Sequence, residues 1–350
     1  MKIHLLSGFL GSGKTTAIRY ACQQLLQHSK VGVITNDQGI KLVDGNFFES
    51  LGIPNRQVTN GCFCCNYNDL DAAVQLLIEQ HHPEVIFAES VGSCTDIVAT
   101  VLKPLEYLRK DVQVSISTFA DVRLLQMILT GDDQLFDEAV CYIYHKQLEE
   151  AGIIVVNKID LIGAEELASI KQLMQDKYGT KTLLYLSATD EYGIRQWLRT
   201  LDSATANTPL SLQIDYDIYG AGEAKLAWLD EEITIYSNNR AIEMAVNLAN
   251  NIYRKIQIQQ YAIGHLKFLI GDHIKLSYTA TTQPEQPQIT IDSPIVTLLI
   301  NARVQTTPEE LNSLIQDVIK EFSAGGCEIT INSIAAFQPG YPRPTYRMAE

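Results

Sequence analysis

The sequence predicts an α/β fold built on a mostly parallel sheet, followed by a smaller α+β domain of ferredoxin-like, βαββαβ order. Two observations predict it. Through the first two hundred residues short apolar runs alternate with amphipathic stretches, the pattern of buried parallel strands separated by covering helices. After Leu201 the character changes: Asp202 to Pro209 is small and polar, Tyr219-Gly220-Ala221-Gly222 is turn-like, and the elements beyond follow a different order.

The apolar runs Ile3 to Leu6, Val31 to Ile34, Val85 to Ala88, Val112 to Ile116, Ile153 to Val156 and Thr182 to Leu186 read as strands. Thr15 to Gln27, Asp69 to Gln80, Gln134 to Glu150 and Glu165 to Tyr178 read as the helices between them. Beyond the change of character come a strand (Lys225 to Tyr236), a helix (Arg240 to Tyr261), strands Leu266 to Tyr278 and Ile295 to Val304, a helix (Pro308 to Phe322) and a strand (Glu328 to Phe337). The expected domains are therefore 1–205 and 225–350, with 206–224 as linker. Thr279 to Pro287 and the proline-bearing Gln338 to Pro344 read as surface irregularities.

Composition narrows the function. The 350 residues carry 27 Lys plus Arg against 41 Asp plus Glu, a formal charge of -14, and the basic residues are not clustered. Nucleic acid is thereby a poor partner. Apolar runs are short and interrupted, so neither a membrane span nor a secretory leader is expected. Seven cysteines, three of them within four positions, suit reduced thiols in a cytoplasmic setting better than a disulfide framework. Extensive buried surface is compatible with a homodimer without fixing an oligomeric state.

Gly8-Phe9-Leu10-Gly11-Ser12-Gly13-Lys14-Thr15 follows an apolar strand and opens a helix, with Thr16 next. This is the phosphate-binding G-x-x-x-x-G-K-[ST] loop in its required context: the glycines let successive backbone N–H groups, Ser12 included, turn toward phosphate at a helix N-terminus. Lys14 would neutralise the β- and γ-phosphates, and the Thr15 hydroxyl would ligate Mg²⁺. Asn157-Lys158-Ile159-Asp160 ends a strand, where ligands sit in open α/β sheets. The Asp160 carboxylate can accept from N1–H and the 2-amino group of guanine, so GTP is favoured over ATP. Ser187-Ala188, at the end of the next strand, fits the loop that closes over the base.

Glu89-Ser90-Val91-Gly92 also follows a strand: Glu89 can reach Mg²⁺ through water and Gly92 can present its N–H to the γ-phosphate, or Glu89 simply caps the next helix. Asp37, in Thr35-Asn36-Asp37-Gln38-Gly39, is either a switch acid near metal or attacking water or a turn residue. No arginine stands out as a built-in finger, so hydrolysis should be slow without a partner.

Cys62, Cys64 and Cys65 crowd the stretch Asn60-Gly61-Cys62-Phe63-Cys64-Cys65-Asn66. Adjacent residues cannot both face one apolar side of a regular element, so core packing accounts poorly for them, whereas a tight turn can converge thiolates on Zn²⁺ or Co²⁺. Three thiolates leave a fourth position, for which Asp37, His145 and the His81-His82 pair are candidates and none is singled out. Cys22, Cys94, Cys141 and Cys327 are isolated in sequence and read as core or surface thiols.

Together GFLGSGKTT from Gly8, GCFCC from Gly61, ESVG from Glu89 and NKID from Asn157 resemble the CobW-type GTPases, metal chaperones related to the urease and hydrogenase nickel-insertion GTPases. The resemblance covers the first two hundred residues strongly and the remainder weakly. It implies a GTP and Mg²⁺ site at Gly8, Gly11, Ser12, Gly13, Lys14, Thr15, Thr16, Glu89, Gly92, Asn157, Lys158, Asp160, Ser187 and Ala188, and metal on Cys62, Cys64 and Cys65. The family commonly carries E-N-E-F-G-E after its second strand. Here Thr35-Asn36-Asp37-Gln38-Gly39-Ile40 keeps a carboxylate only at Asp37. The implied activity is GTP hydrolysis that loads or releases Zn²⁺, or Co²⁺, for a client metalloprotein. A GTPase serving corrinoid synthesis or corrinoid-protein maturation, and a nucleotide-modulated metal buffer or sensor, are the alternatives.

Overall fold

The computed structural model describes residues 1–37, 43, 48–49, 51–59, 61–131, 135–203, 209–282, 287, 289, 293–324 and 327–348. The chain divides into two compact units, Met1–Gln38, Leu51–Gly222 and Pro342–Glu350 forming one, Gly39–Ser50 and Glu223–Tyr341 the other. The expected boundary is thus not a single cut. Pro342–Glu350, assigned from the sequence to the second domain, packs with the first unit, and part of the expected linker is a helix, Tyr216–Ala224.

The first unit is a seven-stranded sheet, in spatial order β3-β2-β4-β1-β5-β6-β7 and parallel throughout. Its strands are β1 (Lys2–Ser7), β2 (Val31–Asn36), β3 (Asn55–Val58), β4 (Val85–Glu89), β5 (Gln113–Asp121), β6 (Ile153–Asn157) and β7 (Thr182–Leu186). The central strands are buried along nearly their whole length, which is why they read as continuous apolar runs rather than alternating ones. Crossovers are made by α1 (Lys14–Leu25), α2 (Tyr67–His81), α3 (Lys103–Leu108), preceded by the π-helical turn Val98–Leu102, α4 (Val122–Thr130), α5 (Glu138–Glu150), α6 (Ala164–Tyr178) and α7 (Glu191–Ser203); α8 is Tyr216–Ala224. Asp121 and Asp137 cap α4 and α5, each carboxylate accepting a backbone N–H two residues on.

This doubly covered parallel sheet matters because it fixes an edge. All seven strands end on one side, and the segments after β1, β2, β3, β4, β6 and β7 are those that carry the motifs.

The second unit is an antiparallel five-stranded sheet of order β10-β9-β11-β8-β12. Its elements are β8 (Leu226–Tyr236), α9 (Ala241–Ile258), β9 (Ile263–Ile270), β10 (Ile274–Tyr278), β11 (Ile295–Gln305), α10 (Pro308–Ser323) and β12 (Glu328–Phe337). Without β10 this is the expected βαββαβ order. The stretch expected as one strand, Leu266 to Tyr278, folds instead into the hairpin β9-β10, because Gly271 adopts φ 56° and reverses the chain. One face of the sheet buries Ala227, Leu229, Ile233 and Ile235 of β8 against Ala245, Leu248, Ala249 and Ile252 of α9 and Leu311, Ile315 and Val318 of α10. The period of two on the strand and of three to four on the helices is the pattern visible in the sequence.

Candidate functional site

The loop after β1 turns through three glycines in the left-handed region, Gly8 (φ 125°), Gly11 (φ 72°) and Gly13 (φ 94°). Close approach, not only backbone freedom, demands them. A Cβ on Gly8 would lie 2.1 Å from the Phe119 carbonyl oxygen, and one on Gly13 would lie 2.3 Å from Asn157 Nδ2. The loop is thus seated on β5 and on the side chain that begins the Asn157–Asp160 element. Lys14, buried in the first turn of α1, folds its ammonium back onto the carbonyls of Gly8 (2.6 Å) and Phe9 (3.3 Å). Neighbouring Thr16 is half-buried and Ser12 is buried.

Thr15 Oγ1 donates to Glu89 Oε1 at 3.0 Å, both groups buried. A hydroxyl and a carboxylate 74 residues apart thereby meet at adjacent strand ends, an oxygen pair that fits a hard divalent cation such as Mg²⁺. A Cβ on Gly92 would lie 2.8 Å from the Leu10 nitrogen, so the loop after β4 rests directly on the phosphate loop.

Asn157 joins two loops: its Nδ2 donates to the Ser12 carbonyl (2.8 Å) and its Oδ1 accepts from Ala188 N (2.8 Å). Lys158 takes φ 64° and donates to Asp121 Oδ2 at 2.8 Å. Burial alone would raise the Asp121 carboxyl, but the Lys158 and Arg123 cations outweigh it and hold it below the usual range. Asp160 sits exposed in the short 3-10 turn Ile159–Leu161, and Ser187, buried, shares a 2.9 Å hydroxyl contact with Thr189. Asp37 is half-buried just past β2, its N–H donating to the Val58 carbonyl.

The cysteine loop lies on the same edge, between β3 and α2. Gly61 takes φ 152°, where a Cβ would meet Asn66 Nδ2 at 2.5 Å, and Cys65 N and Asn66 N both donate to the Cys62 carbonyl. That turn converges three sulfurs within 4.8 Å of one another, Cys62 to Cys64 at 2.8 Å and Cys64 to Cys65 at 3.8 Å. A tetrahedral metal with bonds of about 2.3 Å needs sulfurs about 3.8 Å apart, so the set fits after a small opening of its closest pair. Hydrogen bonds from the Cys64, Cys65 and Cys94 thiols hold Cys62 well below the ordinary thiol range, making it the first thiolate; the same sharing pushes Cys64 up and Cys65 up to about 11.

Of the proposed fourth ligands, Asp37, His145, His81 and His82 do not join this grouping among the described residues, and the two histidines are exposed at the end of α2. Cys22, Cys141 and Cys327 are buried singly. Cys94 is buried as well, in keeping with a core thiol.

Two further supports were not visible in the sequence. Asn36, the last residue of β2, donates to the carbonyls of Val58 (3.0 Å) and Gly61 (2.7 Å) and accepts from Phe63 N (2.8 Å), bracing the cysteine turn. The segment from Pro342 crosses that turn: Arg343 N donates to Cys65 Sγ (3.3 Å), Thr345 N to the Cys64 carbonyl (2.8 Å) and Thr345 Oγ1 to the Cys65 carbonyl (2.7 Å). Tyr346 meets Tyr67 edge-on at 5.1 Å, and Arg347 pairs with buried Asp96 at 2.8 Å.

Fold and site together define a P-loop nucleotide-binding protein with a thiol cluster on the same sheet edge. Residues 2–184, more than half of the chain, match the CobW/HypB/UreG nucleotide-binding domain, and the chain belongs to that family. It is 28% identical over 202 residues to the zinc chaperone CobW of a Sinorhizobium species, covering 51% of this chain and 56% of that protein. To the zinc chaperone YeiR of Escherichia coli (strain K12) it is 26% identical over 187 residues, covering 53% and 54%. Among solved structures, HypB from Helicobacter pylori in complex with nickel aligns over 61% of this chain and 91% of that one, at 16% identity and a TM-score of 0.44. The chain spans about half the length of the curated relatives it matches. Among the described residues no helix is long and apolar enough to cross a membrane.

Proposed function

We propose that this protein hydrolyses GTP and uses the nucleotide cycle to load or release a divalent metal, Zn²⁺ first and Co²⁺ second, carried on Cys62, Cys64 and Cys65 for a client metalloprotein in the cytoplasm. The observation that carries the proposal is the convergence of three thiols within 4.8 Å on the sheet edge that bears the phosphate loop. Relatives named as zinc chaperones support the choice of metal.

In this reading the loop from Gly8 to Thr16 binds the phosphates, with Lys14 and the Gly92 N–H facing the transferred group. Thr15 and Glu89 hold Mg²⁺, which offsets phosphate charge; Asp160 selects guanine, with Asn157, Lys158, Ser187 and Ala188 framing the base. Asp37 is the acid placed to act on water or to respond to the γ-phosphate. The metal ion is cargo: buried Cys62 and Cys64 grip it, and half-buried Cys65 is the most accessible of the three thiols.

Metal analysis of the purified protein with and without a non-hydrolysable GTP analogue tests this. About one Zn²⁺ or Co²⁺ per chain, lost on replacing Cys62, Cys64 and Cys65 by Ser, is expected. Retention of metal by that triple variant would contradict it.

A further inference from the structure

We propose that residues 342–348 form a strap that holds the metal on the cysteine turn, with Thr345 as its positioning residue, and that cargo leaves by way of Cys65 once the strap has lifted. The inference rests on the metal-carrying reading above and adds what governs release.

The strap meets the turn at the ligands themselves. Arg343 N donates to Cys65 Sγ at 3.3 Å, the sulfur of the most accessible of the three thiols. Thr345 holds the backbone beside it twice, its N–H donating to the Cys64 carbonyl at 2.8 Å and its hydroxyl to the Cys65 carbonyl at 2.7 Å. Cys62 and Cys64 are already enclosed by burial, so the strap acts on the one thiol that the fold leaves partly open.

The residues of the strap suit it to this role. Pro342 and Pro344 lack a backbone N–H and have φ fixed by their rings, so the one backbone donor in Pro342-Arg343-Pro344 is that of Arg343, and it is directed at Cys65. A chain restricted in this way has less conformational freedom to lose when it closes. Past Thr345 the strap is anchored away from the turn. Arg347 pairs with buried Asp96 at 2.8 Å and donates to the Leu212 carbonyl at 2.6 Å, and Met348 N donates to the Ala99 carbonyl at 2.9 Å. The anchor at Arg347 and Met348 is therefore distinct from the contacts that Arg343 and Thr345 make with the ligands. A metal-bound sulfur carries negative charge and accepts a hydrogen bond more strongly than a neutral thiol, so bound metal tightens the Arg343 contact. By linkage the closed strap tightens the metal, and lost contacts of this kind show mainly in the dissociation rate.

The test is release of Zn²⁺ from the loaded full chain into excess chelator, compared among the wild type, Thr345→Val and Thr345→Ser. Thr345 is exposed, so neither change disturbs the core, and GTP binding reports an intact fold. Thr345→Val keeps the shape and the backbone N–H but loses the hydroxyl bond, and release should be about 2–10-fold faster, the effect of one neutral hydrogen bond. Thr345→Ser, which keeps the hydroxyl, should match the wild type. In the unaltered protein the amide hydrogens of Arg343 and Thr345 should exchange more slowly when zinc is bound than when it is absent. Unchanged release in folded Thr345→Val overturns the strap and leaves the three-cysteine reading standing. Equal amide exchange with and without zinc does the same, whether or not the variants fold. Failure of the wild type to bind Zn²⁺ at all overturns both.

Discussion

The side-chain carbonyl of Asn36 accepts the N–H of Phe63 at 2.8 Å, tying the last residue of β2 to the centre of the turn that carries Cys62, Cys64 and Cys65. Its amide nitrogen reaches the Val58 and Gly61 carbonyls as well, so one side chain satisfies three backbone groups. Asn36→Ala should destabilise the first unit by about 1–3 kcal/mol and weaken metal binding, since the turn loses its brace. Chemical denaturation and Zn²⁺ titration measure the two effects. A variant with unaltered metal affinity would show that the turn holds its shape without β2.

In the proposed reading Asp160 carries the choice of base. Asp160→Asn should weaken GTP by about 1–3 kcal/mol, roughly tenfold or more, and favour xanthosine triphosphate, whose 2-oxo group accepts where guanine donates. Competition binding among GTP, ATP and xanthosine triphosphate reads this directly. Equal affinity of the unaltered protein for ATP and GTP would remove the basis for the assignment.

The phosphate loop was legible because its chemistry is contiguous: Gly8 to Thr15 must lie together in sequence to wrap one group. Most strand ends were legible for a related reason, since a fully buried parallel strand such as Ile153–Asn157 has no polar residue before its last to blur its limits. The hairpin at Gly271 was not, because apolar residues continue on both sides of the turn. Asn36 escaped notice because its partners are set by lateral order: β2 lies beside β3, which brings the segments after both strands together. The segment at Thr345 contacts Cys65 across 280 positions, a separation no local pattern encodes.

That segment is held in part by the Arg347 pair with Asp96, whose carboxylate also accepts from Tyr216 at 2.6 Å. Arg347→Ala should loosen the residues crossing the cysteine turn and speed alkylation of Cys65, the half-buried thiol, several-fold. Mass-spectrometric timing of the modification in metal-free protein is the measurement. Unchanged labelling would show that Thr345 and Tyr346 suffice to hold the segment.

His4 sits in the middle of the sheet on β1, beside the Ser115 hydroxyl at 2.7 Å, and its burial pushes the imidazole down to about 4. The unfolded chain takes up this proton below about pH 6.5, whereas the folded protein refuses it until about 4. The contribution of neutral His4 is therefore fully present above pH 6.5 and is lost as pH falls through that window, by up to about 3 kcal/mol. His4→Leu forfeits the Ser115 contact at every pH but should flatten the decline between pH 6.5 and 4. Parallel pH–stability curves for the two proteins would exclude His4 as its source.

Nucleotide and metal should be thermodynamically linked through the sheet edge that carries Glu89, Gly92 and the cysteine turn. Glu89 meets Thr15 at the proposed Mg²⁺ position, and Gly92 rests on the Leu10 backbone with its carbonyl braced by the Gln147 amide. A γ-phosphate that draws Gly92 toward the phosphate loop would order this sheet edge, on which the cysteine turn also lies. If the ordered form brings the sulfurs closer to tetrahedral spacing, metal binds more tightly with GTP than with GDP. A coupling of about 1–3 kcal/mol corresponds to roughly 5–150-fold, and reciprocity requires metal to tighten GTP by the same factor. Zn²⁺ titrations in the presence of GDP and of a non-hydrolysable GTP analogue measure the ratio, and Gln147→Leu should bring it toward one. Identical Zn²⁺ affinities in the two nucleotide states, with GTP affinity indifferent to metal, would leave an ion that staples the loop and a nucleotide site that does not sense it.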